Sequence, residues 1–83
     1  MGGSVKLLAF AGARDVLGVA ELRFPIARAC SAGELLDEVC RRHPALVPWR
    51  GSLRLAVNGS YVSTGDLVSF GDEVALIPPV AGG

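Results

Sequence analysis

Residues 31–44 read SAGELLDEVCRRHP, and the fold class follows from that stretch. Ser31 and Glu34 have the S-x-x-E spacing of a capping box, in which the hydroxyl accepts from a first-turn amide and the carboxylate reaches back to the cap. Leu35, Leu36, Val39 and Cys40 fall on one stripe at helical spacing, while Glu34, Asp37, Glu38, Arg41 and Arg42 cover the other side. The spacing predicts one amphipathic helix. Arg41, Arg42 and His43 stand at the negative end of its dipole, and Pro44 stops it. His43 is thereby explained as a helix-end residue rather than a base or a ligand. A helix with a single apolar stripe needs one apolar sheet face to cover.

The segments on either side supply that sheet. Ser4 to Phe10 (SVKLLAF) alternates, with Val5, Leu7 and Ala9 on one face and Lys6, Leu8 and Phe10 on the other. Ala11 to Leu17 has helical content and stops at Gly18, a residue suited to a left-handed cap. Ala20 to Ile26 is a second strand, and Pro25 near its end suits a sheet edge because proline donates nothing to a ladder. Beyond the helix, Pro44 to Gly51 (PALVPWRG) is a connector in which Trp49 is expected to plug the end of the core. Leu53 to Val57, the two-residue turn Asn58-Gly59 and Tyr61 to Ser63 read as a hairpin. Thr64 to Phe70 is expected to be irregular, Gly71-Asp72 a turn, and Glu73 to Ile77 the last strand. The order predicts an α+β roll: a mixed five-stranded sheet with one main helix on one face. Val5, Leu7, Ala9, Val62, Val74 and Leu76 should point at the helix. Phe10, Tyr61 and Ile77 should lie opposite, beside Lys6, Ser63 and Glu73, and apolar groups on such a face suggest a partner patch.

Composition narrows the function. Eighty-three residues hold one core. Eight basic side chains balance eight acidic ones, which argues against a nucleic-acid groove or an anionic-membrane patch. The five aromatics are scattered, without the basic interleaving of a base-stacking platform. Mean hydropathy is high at +0.45, yet no apolar run approaches the ~20 residues of a membrane span. Cys30, Cys40 and His43 do not have zinc-site spacing, so the cysteines read as buried or half-buried thiols and no metal is expected. Met1-Gly2-Gly3-Ser4 has none of the parts of a signal peptide, and a cytoplasmic location is expected.

The C-terminus carries the chemistry. The chain ends Pro78-Pro79-Val80-Ala81-Gly82-Gly83. Two prolines cannot extend the ladder and hold the backbone extended. Val80 is the one sizeable apolar anchor beyond them, and Gly82-Gly83 can thread a narrow channel. The terminal carboxylate is ionised at neutral pH and is a poor electrophile until activated. Neither G-x-x-x-x-G-K-[ST] nor G-x-G-x-x-G occurs, so ATP must be used by an activating partner rather than bound here. Residues 1–77 are thus read as a domain and residues 78–83 as its extended tail.

The strand order together with VKLLAFAGARDVLG at the start and GDEVALIPPVAGG at the end resembles the small subunit of molybdopterin synthase, the MoaD family, within the ubiquitin-like β-grasp sulfur carriers of the MoaD/ThiS superfamily. The resemblance covers essentially the whole chain. It implies that an E1-like, MoeB-like enzyme adenylates Gly83 and that a sulfurtransferase system makes it a thiocarboxylate. The tail then enters the MoaE-like large subunit of a heterotetrameric synthase. There sulfur passes to cyclic pyranopterin monophosphate. In that scheme Gly83 carries the reactive group, and Val80, Ala81 and Gly82 are the threaded lead. Phe10, Tyr61, Ile77, Pro78 and Pro79 form the partner interface. Carriers for thiamine thiazole or tRNA thiolation share the terminus, a ubiquitin-like protein modifier is a third reading, and a plain interaction module a fourth. The single lysine, Lys6, offers little for chain building onto the protein itself.

Overall fold

Both arms of the capping box form. In the computed structural model, which describes residues 2–78, the Glu34 amide donates to Ser31 Oγ at 3.1 Å and the Ser31 amide to Glu34 Oε1 at 3.0 Å. Helix α2 runs Ala32–Arg42 and buries Ala32, Leu35, Leu36, Val39 and Cys40. Glu38 pairs with both Arg41 and Arg42 on the outer side. The His43 amide closes the helix on the Val39 carbonyl, and its ring lies beside Phe24.

The sheet has strand order β2-β1-β7-β4-β5. Strands β1 (Gly3–Ala9) and β2 (Glu21–Ile26) are antiparallel, with Pro25 on the edge strand as expected. Their connection holds the short helix α1 (Ala11–Leu17), ended by Gly18 at φ 81, whose amide donates to the Arg14 carbonyl. Strand β7 (Glu73–Ile77) lies in the middle, parallel to β1 and antiparallel to β4 (Arg54–Val57). Strand β5 (Ser60–Tyr61) completes the hairpin through Asn58 and Gly59, at φ 51 and 87. Two positive φ values are what a two-residue hairpin turn of matching twist requires. Val5, Leu7, Ala9, Phe24, Val74 and Leu76 meet the helix in one core, with Val62 packed at its margin.

Asn58 also ties two turns together. Its backbone amide donates to the Glu73 carbonyl, its Oδ1 accepts from the Glu73 amide at 2.9 Å, and its Nδ2 donates to Asp72 at 3.1 Å. Asn58→Ala removes both side-chain bonds and strains the left-handed backbone, so it should cost about 1–2 kcal/mol. In a thermal melt the midpoint should fall by roughly 5–10 °C. Asn58→Gly, which keeps the backbone angle at ease, should fall less. Equal losses in the two variants would show that the angle contributes nothing.

Two expectations are corrected. Thr64 to Phe70 is not wholly irregular: β6 (Leu67–Val68) pairs with β3 (Cys30–Ser31) as a second, two-stranded sheet. That loop also finishes α2. The Ala32 amide donates to the Asp66 carbonyl and the Gly33 amide to the Thr64 carbonyl, both at 2.8 Å. Together with Ser31 Oγ they satisfy the first three helix amides, which otherwise lack partners. The approach is close, since a Cβ on Gly33 would sit 3.2 Å from Thr64. The second correction is Trp49. Pro44–Trp49 forms a 3-10 helix, but Leu46 is fully buried and Trp49 is 44% exposed. The Leu46 amide bonds to the His43 carbonyl and brings Leu46 under the end of α2. Trp49 comes at the outer end of the turn.

The capping box carries a pH signature. Hydrogen bonds from the Ser31 amide and then its hydroxyl hold Glu34 below its ordinary value of 4.5. Glu38 is held low by its bond from Arg41 and then by the charges around it. A depressed carboxylate contributes stability that is present above its unfolded value and is lost as pH falls through the folded one. Melting temperature should therefore drop below about pH 4.5, and Glu34→Gln should drop less steeply over the same range. Parallel profiles for the two proteins would remove Glu34 as a cause.

Candidate functional site

Alternation across five paired strands defines the sheet face turned away from α2. On β1 it presents Lys6 and Leu8, and on β7 Glu73, Ala75 and Ile77. On β4 it presents Arg54 and Ala56, with Tyr61 opposite Ala56 on β5. Phe10, extended at φ −121 and ψ 151, continues the β1 alternation before the chain turns into α1.

The face has two unlike ends. At one end Lys6 lies opposite Arg23 and Glu73, and its ammonium reaches Glu21 at 3.5 Å and Glu73 at 3.9 Å. Arg23 donates to Ser4 Oγ at 3.0 Å. These charges are largely matched among themselves. The middle is shallow, because Ala56 pairs with Ala75 and Ala75 with Leu8. At the other end Phe10 is exposed and Ile77 is half-buried, while exposed Tyr61 flanks the middle row opposite Ala56. Phe10, Tyr61 and Ile77 are therefore brought to one face, as expected. Ser63 lies beyond β5, in a turn where its amide donates to Asp66.

Four contributors to this face were not singled out from the sequence as part of the patch. Leu8 was accessible from β1 alternation alone. Ala56, Ala75 and Arg54 depend on which strands pair, and short side chains on an exposed face carry no local signal. Arg54 lies opposite Ile77, with its guanidinium 5.0 Å from the centroid of the Tyr61 ring.

Strand β7 ends at this end of the face. β1 stops at Ala9 and β7 at Ile77, and half-buried Pro78 has no amide with which to continue a ladder. Pro79, Val80, Ala81, Gly82 and Gly83, named above for the tail, lie outside the described residues.

The remaining reactive side chains do not form a site. Cys30 and Cys40 are free thiols. Burial is the main cause that pushes each above its ordinary 9.0, and at Cys30 the Glu34 charge adds to it. Both stay protonated at neutral pH and are weak nucleophiles. Among the described residues no cluster of three or more His, Cys, Asp or Glu could hold a metal, and no helix is long and apolar enough to cross a membrane.

Comparison with known proteins agrees with this geometry. Residues 7–83 match the model of the ThiS family. The molybdopterin synthase sulfur carrier subunit of Arabidopsis thaliana is 35% identical over 79 residues, covering 95% of this chain and 82% of that protein. The Homo sapiens protein of the same name is 35% identical over 82 residues, covering 95% and 93%. The crystal structure of small archaeal modifier protein 1 from Haloferax volcanii has a TM-score of 0.82 at 28% identity, covering 94% of this chain and 99% of that one. The β-grasp roll, the extent of the match and the identity to these sulfur carrier subunits place the chain in one group: it belongs to the ThiS family of ubiquitin-like proteins, alongside the molybdopterin synthase sulfur carrier subunits.

Proposed function

We propose that the chain is the sulfur-carrying small subunit of a molybdopterin synthase. The observation that carries the reading is a central strand that ends at Ile77 beside an exposed apolar patch and is followed in sequence by Pro78-Pro79-Val80-Ala81-Gly82-Gly83. A carrier needs both parts, a surface to dock and an arm to present.

The chemistry is that of the terminal carboxylate. An E1-like partner joins the Gly83 carboxylate to the α-phosphate of ATP, forming an acyl-adenylate and releasing pyrophosphate. A sulfur nucleophile supplied by a sulfurtransferase attacks the acyl carbon, and AMP leaves. Where that nucleophile is a persulfide, the product is an acyl disulfide, which a thiol reduces: the thiol forms a disulfide with the sulfurtransferase cysteine and Gly83 leaves as a thiocarboxylate. In the large subunit the thiocarboxylate sulfur bonds to a side-chain carbon of the pterin precursor and displaces an oxygen substituent of that carbon; water then hydrolyses the acyl–sulfur link, which leaves the sulfur on the pterin and returns the Gly83 carboxylate. A dithiolene contains two sulfurs, so two charged carriers are consumed per product. ATP belongs to the activating enzyme, and this chain supplies neither an acid nor a base. Its own contribution is positional: Phe10, Tyr61, Ile77 and Pro78 form the docking face, and Pro79 to Gly82 lead Gly83 into the partner.

The test is intact mass spectrometry of the protein isolated from its native cell. A species heavier by one oxygen-to-sulfur exchange at the C-terminus is expected. Mixed with the large subunit and cyclic pyranopterin monophosphate, it should yield molybdopterin. Sulfur-loaded protein that yields none would move the chain to another sulfur-transfer pathway. The likeness to small archaeal modifier protein 1 favours a second reading, ligation through Gly83 to lysines of other proteins. That reading expects conjugates joined by an isopeptide bond in the same preparation.

A further inference from the structure

We propose that Arg54, laid against Tyr61, selects the docking partner by taking a carboxylate of the large subunit at the root of the tail. The inference rests on the large-subunit reading above and adds to it the charge that the partner must bring.

The argument starts from the unequal treatment of the cations on this face. Lys6 carries its own counter-charges, Glu21 and Glu73. Arg23 is turned to Ser4. Among the described residues Arg54 has no carboxylate within ion-pairing distance, and its partner is the ring of Tyr61 at 5.0 Å. A cation–π contact with a ring face consumes no hydrogen-bond acceptor, so the guanidinium keeps N–H donors for one. Among the described residues no side chain or carbonyl takes a hydrogen bond from its guanidinium.

Position turns this into a requirement on the partner. Arg54 is opposite Ile77, next to the point where β7 ends, and two residues from Ala56 in the shallow middle of the face. A surface that covers Phe10, Ile77 and Tyr61 therefore also covers Arg54. Desolvating an unpaired guanidinium is strongly unfavourable, whereas a bidentate carboxylate returns both charge and hydrogen bonds. A neutral or basic partner surface is rejected at this spot, and an acidic one is accepted.

The experiment measures the affinity of the large subunit for the full-length wild type, Arg54→Gln, Arg54→Lys and Phe10→Glu while salt rises from about 50 to about 500 mM. Arg54→Gln should bind roughly tenfold more weakly at low salt and show a flatter salt dependence. Arg54→Lys should keep the salt dependence while binding more weakly than wild type, since it keeps the charge and loses the planar fork. Arg54 is exposed, and a thermal melt of each variant separates lost contact from lost fold. Arg54→Gln binding within about twofold of wild type, with an unchanged salt dependence, overturns the inference. If Phe10→Glu is then still impaired, the docking face and the carrier reading stand. A wild type that does not bind the large subunit overturns both.

Discussion

Protein lacking Gly83 is expected to transfer no sulfur while melting at the wild-type temperature. The two halves of this result have separate causes. Among the described residues every member of the hydrophobic core lies between Val5 and Leu76, and Gly83 has no side chain to add to it. In the proposed scheme the reactive group, in contrast, is the Gly83 carboxylate. Deletion leaves a carboxylate on Gly82, one residue short, and an arm shortened by about 3.3–3.6 Å cannot place its carbonyl where the partner's chemistry occurs. A misplacement of even about 1 Å can cost on the order of a hundredfold in rate. The measurements are product formation with charged carrier in single turnover and a calorimetric melt. Retained transfer by the shortened chain would refute Gly83 as the carrier position. A lowered melting point would show a structural role for the tail.

The second large effect is expected at Phe10. Phe10→Glu should weaken docking to the large subunit by roughly 30-fold or more, the size expected when an aromatic anchor in a desolvated patch is replaced by a charge. The fold should survive. Phe10 is 49% exposed, and what α1 takes from this residue is its carbonyl, which accepts from the Ala13 and Arg14 amides. Surface substitutions of this kind usually change stability by no more than about 0.5 kcal/mol. Binding by titration calorimetry and unfolding by denaturant should therefore separate. Loss of both together would mean that Phe10 is a core residue at the sheet edge and that the patch is elsewhere.

Much of the fold was legible because its instructions are local. The capping box of Ser31 and Glu34, the stop at Pro44, the Gly18 cap and the Asn58-Gly59 turn each involve residues a few positions apart. All four form as read. Strand alternation assigned Val5, Leu7 and Ala9 to the core and Phe10 to the outside for the same reason. Trp49 was misread because size and hydropathy do not state which end of a short turn faces the core. Leu46 takes that place, held there by a backbone bond to His43. The β3–β6 pair was not legible at all, since two-residue strands are too short to show a period of two.

The sequence by itself determined the class of fold, the main helix and the outward set of Phe10, Tyr61 and Ile77. Those features depend on residue type and on spacing along the chain. Tertiary structure alone decided what depends on distant segments meeting. It made β7 central and parallel to β1, so that the strand ends beside the apolar patch. It brought the Thr64 and Asp66 carbonyls to the amides that begin α2, completing a cap of which Ser31 and Glu34 supply only part. It also set Arg54 opposite Ile77 and beside Tyr61. Strand register is a long-range choice made by packing, and neither Arg54 nor Tyr61 carries a local mark of the other.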